Sequence, residues 1–265
     1  MKNRKLFITA AVASAVLLLI VGITTAYLID TDTKDNVITI GRVSIELDEG
    51  QFDPSETYEA VPGTRIEKAP KLENNGNKDE YVFMRITVPK AQVTLLNEAD
   101  DPLDDTVKKG MPKTGLSGAQ QLFRFIADTP AVPAADNVAG IAAAAGKDID
   151  FSYHSDKDSG SNTVEGWMLL DTYTVTSNSA YDEYVFGYNK KMLPNDVTKT
   201  LFDDVQLKSF IDSEARDGFD IGVYCYGIQA DYLKPEGNVS FSAAYLDEAA
   251  LNAVYGIVKN KAGLS

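Results

Sequence analysis

An all-β fold, arranged as an antiparallel sandwich, is predicted by three observations. Apolar residues recur at every second position, the segments that carry them are rich in aromatic and β-branched side chains, and Asn, Asp, Gly or Pro separates one from the next. The clearest segment is residues 80–88, in which Val82, Met84, Ile86 and Val88 fall on one face and Arg85 and Thr87 on the other. Pro89 then predicts the end of the ladder, because proline lacks the donor a strand needs. Residues 219–230 set Ile221, Val223 and Cys225 against Gly222, Tyr224 and Tyr226, the pattern of a strand buried on both faces. Residues 167–175, 183–188 and 202–208 predict further strands. Asn74-Asn75-Gly76 and Pro194-Asn195 supply turn chemistry between them.

The N-terminal segment is of a different kind. Lys2, Arg4 and Lys5 precede an uncharged run over residues 6–29, and an acidic polar stretch over 30–35 follows. A short basic start, an apolar segment and a small-residue exit describe a secretory signal peptide. Thr24, Thr25 and Ala26 supply that exit, so the expected cut falls after Ala26 and leaves Tyr27 as the mature N-terminus. An uncleaved membrane anchor is the alternative, since about 20 apolar residues span a bilayer. Either way residues 27–265 face the outside of the cell. Residues 37–47 then predict a long strand, with Val37, Val43, Ile45 and Leu47 on one face and Ile38 and Ile40 on the other.

Two regions depart from the period of two. Residues 99–163 read as an insertion in the sandwich domain, which extends over 48–245. The insertion holds an acidic stretch at 100–105, an Ala/Gly/Pro-rich stretch at 129–146, a loop at 155–162 and a short helix over 117–128. Its few apolar positions predict a surface elaboration, not a separate domain. Residues 246–265 predict a helix: Leu251, Val254, Tyr255 and Val258 make one apolar stripe, with Asp247 and Glu248 at the start and Lys259 and Lys261 near the end, where each charge suits the helix dipole.

Composition narrows the function. The net charge is −14, and without residues 1–26 it is near −17, from 22 basic and 39 acidic residues. Charge of that sign repels nucleic acid and anionic membranes, so the only membrane contact expected is through an uncleaved N-terminal segment. A hydrophobic content of 44% is enough for a core. One cysteine, Cys225, precludes an internal disulfide, which points to export from a bacterium rather than an animal cell.

The residues that carry chemistry are sparse. His154 is the only histidine, which removes paired-histidine metal sites, and its place beside an Asp/Ser/Gly loop reads as a solvated position. Cys225, inside a strand pattern, reads as a small buried hydrophobe. Residues 156–160 resemble a calcium loop, but the glycine is out of register with the acidic positions. Asp30, Asp32 and Asp35 are equally ambiguous as ligands, and Met111-Pro112-Lys113-Thr114-Gly115 reads as a turn. No catalytic residue, metal centre or cofactor is assigned.

A resemblance adds what spacing does not. The segment 24–47, with Asn36, Ile38, Thr39, Gly41 and Val43 in an N-x-I-T-x-G-x-V pattern, resembles the start of the TasA/camelysin family of exported bacterial proteins. Val61-Pro62-Gly63, Lys68, residues 73–76, 81–85, 184–189, 201–202 and 223–231 resemble that family's later blocks. Leu28 and Ile29 depart from it, since an aromatic and a polar residue are usual there. The likeness covers roughly residues 1–90 and 165–232. It implies a jelly-roll sandwich, processing by the signal peptidase SipW, and residence in the biofilm matrix or at the surface of a Gram-positive cell. It also implies self-association into fibres through a donated N-terminal strand, whose residues here are Val37, Ile38, Ile40, Val43, Ile45 and Leu47. A strand of ten residues reaches about 33 Å, enough to fill a groove in a second subunit. The alternatives are an ordinary first strand within one sandwich, in a monomeric adhesin that binds through the 99–163 insertion, and a camelysin-like peptidase.

Overall fold

The structure, a computed structural model, describes residues 29–33, 36–38, 44–53, 61–100, 102, 107–128, 146–155, 165–170, 173, 180–211, 219–231, 233 and 244–264. In chain order the strands are β1 (Ile29–Thr33), β2 (Asn36–Ile38), β3 (Ile45–Asp48), β4 (Arg65–Glu67), β5 (Lys71–Asn74), β6 (Glu80–Ala91) and β7 (Thr94–Leu95). They continue as β8 (Gln120–Gln121), β9 (Phe123–Ile126), β10 (Trp167–Leu169), β11 (Tyr181–Tyr188), β12 (Asp204–Leu207), β13 (Phe210–Ile211) and β14 (Gly222–Gln229), and helix α1 (Glu248–Ala262) follows. The described chain is all-β with one C-terminal helix, and every ladder between named strands is antiparallel.

The largest sheet runs β10-β11-β6-β14-β1-β2, with β8 pairing the end of β6. Its two faces are buried against different layers. Val82, Met84, Ile86 and Val88 of β6, Tyr184 and Phe186 of β11, and Val223 and Cys225 of β14 share a core with Leu72, Phe125, Val205 and Leu207. Those last residues belong to the smaller sheets β3-β5 and β4-β12-β9. On the reverse face, Tyr81, Phe83, Val185, Tyr226 and Ile228 pack against Leu251, Val254, Tyr255 and Val258 of α1. Double burial explains why aromatic and aliphatic residues occupy both parities of β6 and β14. Each fully buried side chain of this size contributes about 1.5–3 kcal/mol.

Three expectations are corrected. Pro89 does not end β6, which continues to Ala91. Lys90 N donates to Ala180 O (3.0 Å), so Pro89 presents its backbone to the opposite side, where the ladder with β14 has already stopped at Thr87 opposite Gly222. On that side β8 takes over, and Pro89 takes part through its carbonyl, which accepts from Leu122 N (3.3 Å). The helix predicted over 117–128 is instead β8 and β9. Phe123 and Phe125 alternate with Arg124, and pairing of Gln120–Gln121 with β6 and of Phe123–Ile126 with β12 outweighs the helical leanings of the Ala119-Gln120-Gln121-Leu122 run.

The insertion is likewise no surface elaboration, because it supplies part of the core. Leu122, Phe125 and Phe151 are fully buried, and Phe151 stacks on Phe125 with centroids 4.2 Å apart. Residues 151–155 stitch the two layers together along one flank. Phe151 bridges Phe125 of β9, His154 N donates to Leu201 O (2.8 Å), and Trp167 N of β10 donates to His154 O (3.1 Å).

The C-terminal helix matches the stripe read from sequence. Asp247 is its N-cap, accepting from Ala250 N at 2.8 Å, and Gly263 closes it in the left-handed region at φ 66°. The predicted turns also form: Asn74 Oδ1 accepts from Gly76 N (2.9 Å), and Asn195 adopts φ 67°.

Candidate functional site

The N-terminal strands lie at one margin of the main sheet. β1 pairs antiparallel with β14, with Ile29 opposite Ile228, Asp30 opposite Gly227, Thr31 opposite Tyr226, Asp32 opposite Cys225 and Thr33 opposite Tyr224. β2 continues the sheet outward, with Asn36 opposite Thr33, Val37 opposite Asp32 and Ile38 opposite Thr31. The outer side of β2 is the margin of the sheet order. Each backbone hydrogen bond of such a ladder contributes a net of about 0.5–1.5 kcal/mol.

The strand expected over 37–47 is divided between two sheets. Val37 and Ile38 belong to β2, whereas Ile45 and Leu47 belong to β3, which pairs with β5. Ile40 and Val43, with Ala26 and Tyr27 at the expected cleavage point, lie outside the described residues. Ile45 is 1% exposed and sits in the core between the layers. Gly227 makes that seat possible: a Cβ there would lie 2.8 Å from Glu80 Oε2 and 3.0 Å from Ile45 Cγ2. A strand run through Ile45 and Leu47 thus has its own fixed place, while β1 and β2 are held by backbone pairing at the sheet margin.

Sequence reasoning missed β1. Its residues, Ile-Asp-Thr-Asp-Thr, carry one apolar side chain, so no apolar alternation marks them. The available signal was the β-branched residues at Ile29, Thr31 and Thr33, which share one parity.

His154 departs from its solvated reading. Its side chain is 12% exposed, and Nε2 lies 2.9 Å from Asp203 Oδ2. The same Asp203 oxygen accepts from Asp128 N (2.7 Å), and Oδ1 meets Thr200 Oγ1 at 3.3 Å. These contacts tie the 146–155 arm to the turn that enters β12. Cys225 is buried in β14 opposite Met84, as its setting in the sequence predicts. Residues 156–160 and Asp35 lie outside the described residues. Among the described residues no group of three or more His, Cys, Asp and Glu is placed to hold a metal ion, and no helix is long and apolar enough to cross a membrane.

Two ionic networks stand out among the buried polar groups. Lys208, 3% exposed, donates to Asp148 O (2.5 Å) and meets Asp148 Oδ2 at 3.3 Å, where Lys113 also arrives at 2.8 Å. Burial pushes the Lys208 ammonium below its usual range. Burial alone would raise the Asp148 carboxyl, but Lys208 and Lys113 outweigh it and hold it below the usual carboxylate range. At the far end of β11, Asp182 joins Lys90 (2.7 Å) and Gln121 (2.8 Å), and Gln121 also contacts the Tyr184 hydroxyl. The first network fastens Lys113 and Asp148 to the residue that follows β12, and the second fastens β8 to β6 and β11, so their role is architectural.

Compared with protein-family models, curated proteins and solved structures, the chain has no match.

Proposed function

We propose that the chain is an exported structural subunit with a jelly-roll-like sandwich, which assembles into fibres of a biofilm matrix or cell surface by passing its N-terminal strand to a neighbouring copy. The observation that carries this reading is the place of β1. It follows the expected processing point at Ala26–Tyr27 by two residues and completes the sheet beside β14 through a backbone ladder. An identical ladder forms whether β1 comes from the same chain or from another, because backbone pairing carries no mark of its origin. The exchanged segment in this reading is residues 29–38, with β3 as the anchor from which it departs. Until SipW cuts, the apolar N-terminal run holds each copy at the membrane and limits exchange. The resemblance to TasA/camelysin proteins supports the same assignment.

One observation favours the second reading, a monomeric surface adhesin: β1 already pairs with β14 of its own chain. A peptidase is the weakest reading, since the one histidine is engaged with Asp203 and Cys225 is buried in a strand. Electron microscopy and sedimentation of the chain beginning at Tyr27, beside one beginning at Ser44, separate the first two. The shorter chain keeps Ile45 in the core. Filaments from the longer chain alone support assembly through residues 29–38; monomers from both favour the adhesin.

A further inference from the structure

The helix α1 lies over the strand that the proposed function would exchange. Its course can be followed residue by residue across the reverse face of the main sheet. At its start, Leu246 N donates to Asn189 O (2.7 Å) and Tyr245 bridges Lys190, just beyond the end of β11. Leu251 lies over Gly187 of β11, where an added Cβ would sit 3.1 Å from Leu251 Cδ2. Tyr255 then meets Phe83 of β6 at 5.2 Å and Tyr226 of β14 at 6.2 Å. The next strand in the sheet is β1, and the helix approaches it as it does β11 and β14. The turns beyond Tyr255, with Val258 fully buried and Leu264 partly buried, continue this course in the direction of β1.

We propose that α1 is a latch on β1: its C-terminal turns hold β1 against β14, and their release frees β1 for a second copy of this chain. The two ends of the helix are fastened differently. The N-terminal half is fixed by the Asn189 bond, the Asp247 cap and the Tyr173 hydroxyl, which donates to Asn252 O (3.1 Å). The C-terminal half is held by the packing of Val258 and Leu264, by Lys259 Nζ 5.9 Å from the Tyr173 ring, and by the Gly263 cap, none of them a hydrogen bond to another element. Helix ends fray before helix centres, so the turns over β1 open without loss of the Leu251 and Tyr255 contacts. β1 itself has only β14 and the short β2 as ladder partners among the described residues. Lifting the last turns thus uncovers the strand while β6 and β14 remain paired.

This latch rests on the reading of β1 as an exchangeable strand, and hydrogen exchange tests it apart from that reading. In Val258→Ala, with the full processed chain, the amides of residues 29–33 are expected to exchange about tenfold faster than in the wild type. Those of β6 and of β14 opposite β6 are expected to keep their wild-type rates. Leu264→Ala, a milder change, should shift the same amides in the same direction if Val258→Ala proves poorly folded. Wild-type protection of residues 29–33 in a folded variant would overturn the latch, as would a uniform loss of protection across β1, β6 and β14. Faster β1 exchange without filaments would keep the latch and sink the fibre reading.

Discussion

Replacing Phe151 with alanine tests whether the 99–163 region is part of the core. Its ring is fully buried and lies among Phe125 (4.2 Å), Tyr184 (5.1 Å), Phe186 (5.5 Å) and Phe202 (5.9 Å). These four belong to both layers, so the ring fills a gap that neither layer can close by moving alone. A Phe→Ala change in such a site costs about 3–5 kcal/mol, because the transfer term is lost and a cavity remains. For a domain of this size each kcal/mol lowers Tm by about 2–4 °C, so the expected fall is about 6–20 °C. Thermal and urea unfolding of the chain beginning at Tyr27, followed by far-UV circular dichroism, would give both figures. A surface elaboration would tolerate the change within about 0.5 kcal/mol. A loss below about 1 kcal/mol would refute the placement of residues 146–155 between the layers.

Four further outcomes follow from the structure. Gly187→Ala would drive a methyl to 3.1 Å from Leu251 Cδ2 and the Phe83 ring, and unfolding should show a loss of about 1–3 kcal/mol. In acid, Asp148 sets one limb of the stability curve. Its folded pKa is lowered, so its contribution is present above the unfolded value of about 3.9 and is lost as pH falls through the folded one. Asp148→Asn should flatten that limb in urea titrations below about pH 4. In alkali the sign is opposite. Burial raises the phenols of Tyr184, Tyr188 and Tyr255 far above 10 and pushes Tyr226 up to about 12. Stability should fall as pH rises above about 10, with tyrosinate absorbance appearing together with unfolding. Finally, a chain beginning at Tyr27 carries a charge near −17 and repels its own copies, so under the proposed assembly filament mass by sedimentation should grow as salt shortens the range of that repulsion.

The strands that carry the main sheet were legible because their side chains repeat the burial pattern. Val82, Met84, Ile86 and Val88 announce β6, and Val223 and Cys225 announce β14. Helix α1 was legible for the same reason at a period of about 3.6. Elements whose partners decide their form were not. In residues 119–126 helix-forming residues precede Phe123 and Phe125, and pairing with β6 and β12 selects the strands. β4 and β5 are three and four residues long, too short to show a period. β1 was hidden because Ile-Asp-Thr-Asp-Thr carries one apolar side chain, and the ladder with β14 that orders its backbone leaves no period in the sequence. His154 shows the same limit: nothing near it in sequence marks Asp203 as its partner.

The origin of the strand beside β14 can be read covalently. Asp32 stands opposite Cys225, and paired Cα atoms in an antiparallel ladder lie about 4.5–5.5 Å apart, within the range a disulfide spans. Asp32→Cys, allowed to assemble and then oxidised, should give a ladder of covalent multimers on a non-reducing gel if β1 comes from the neighbouring copy. Monomers alone, each with an internal bond between the introduced thiol and Cys225, would contradict assembly by strand exchange and leave β1 as the closing strand of its own fold.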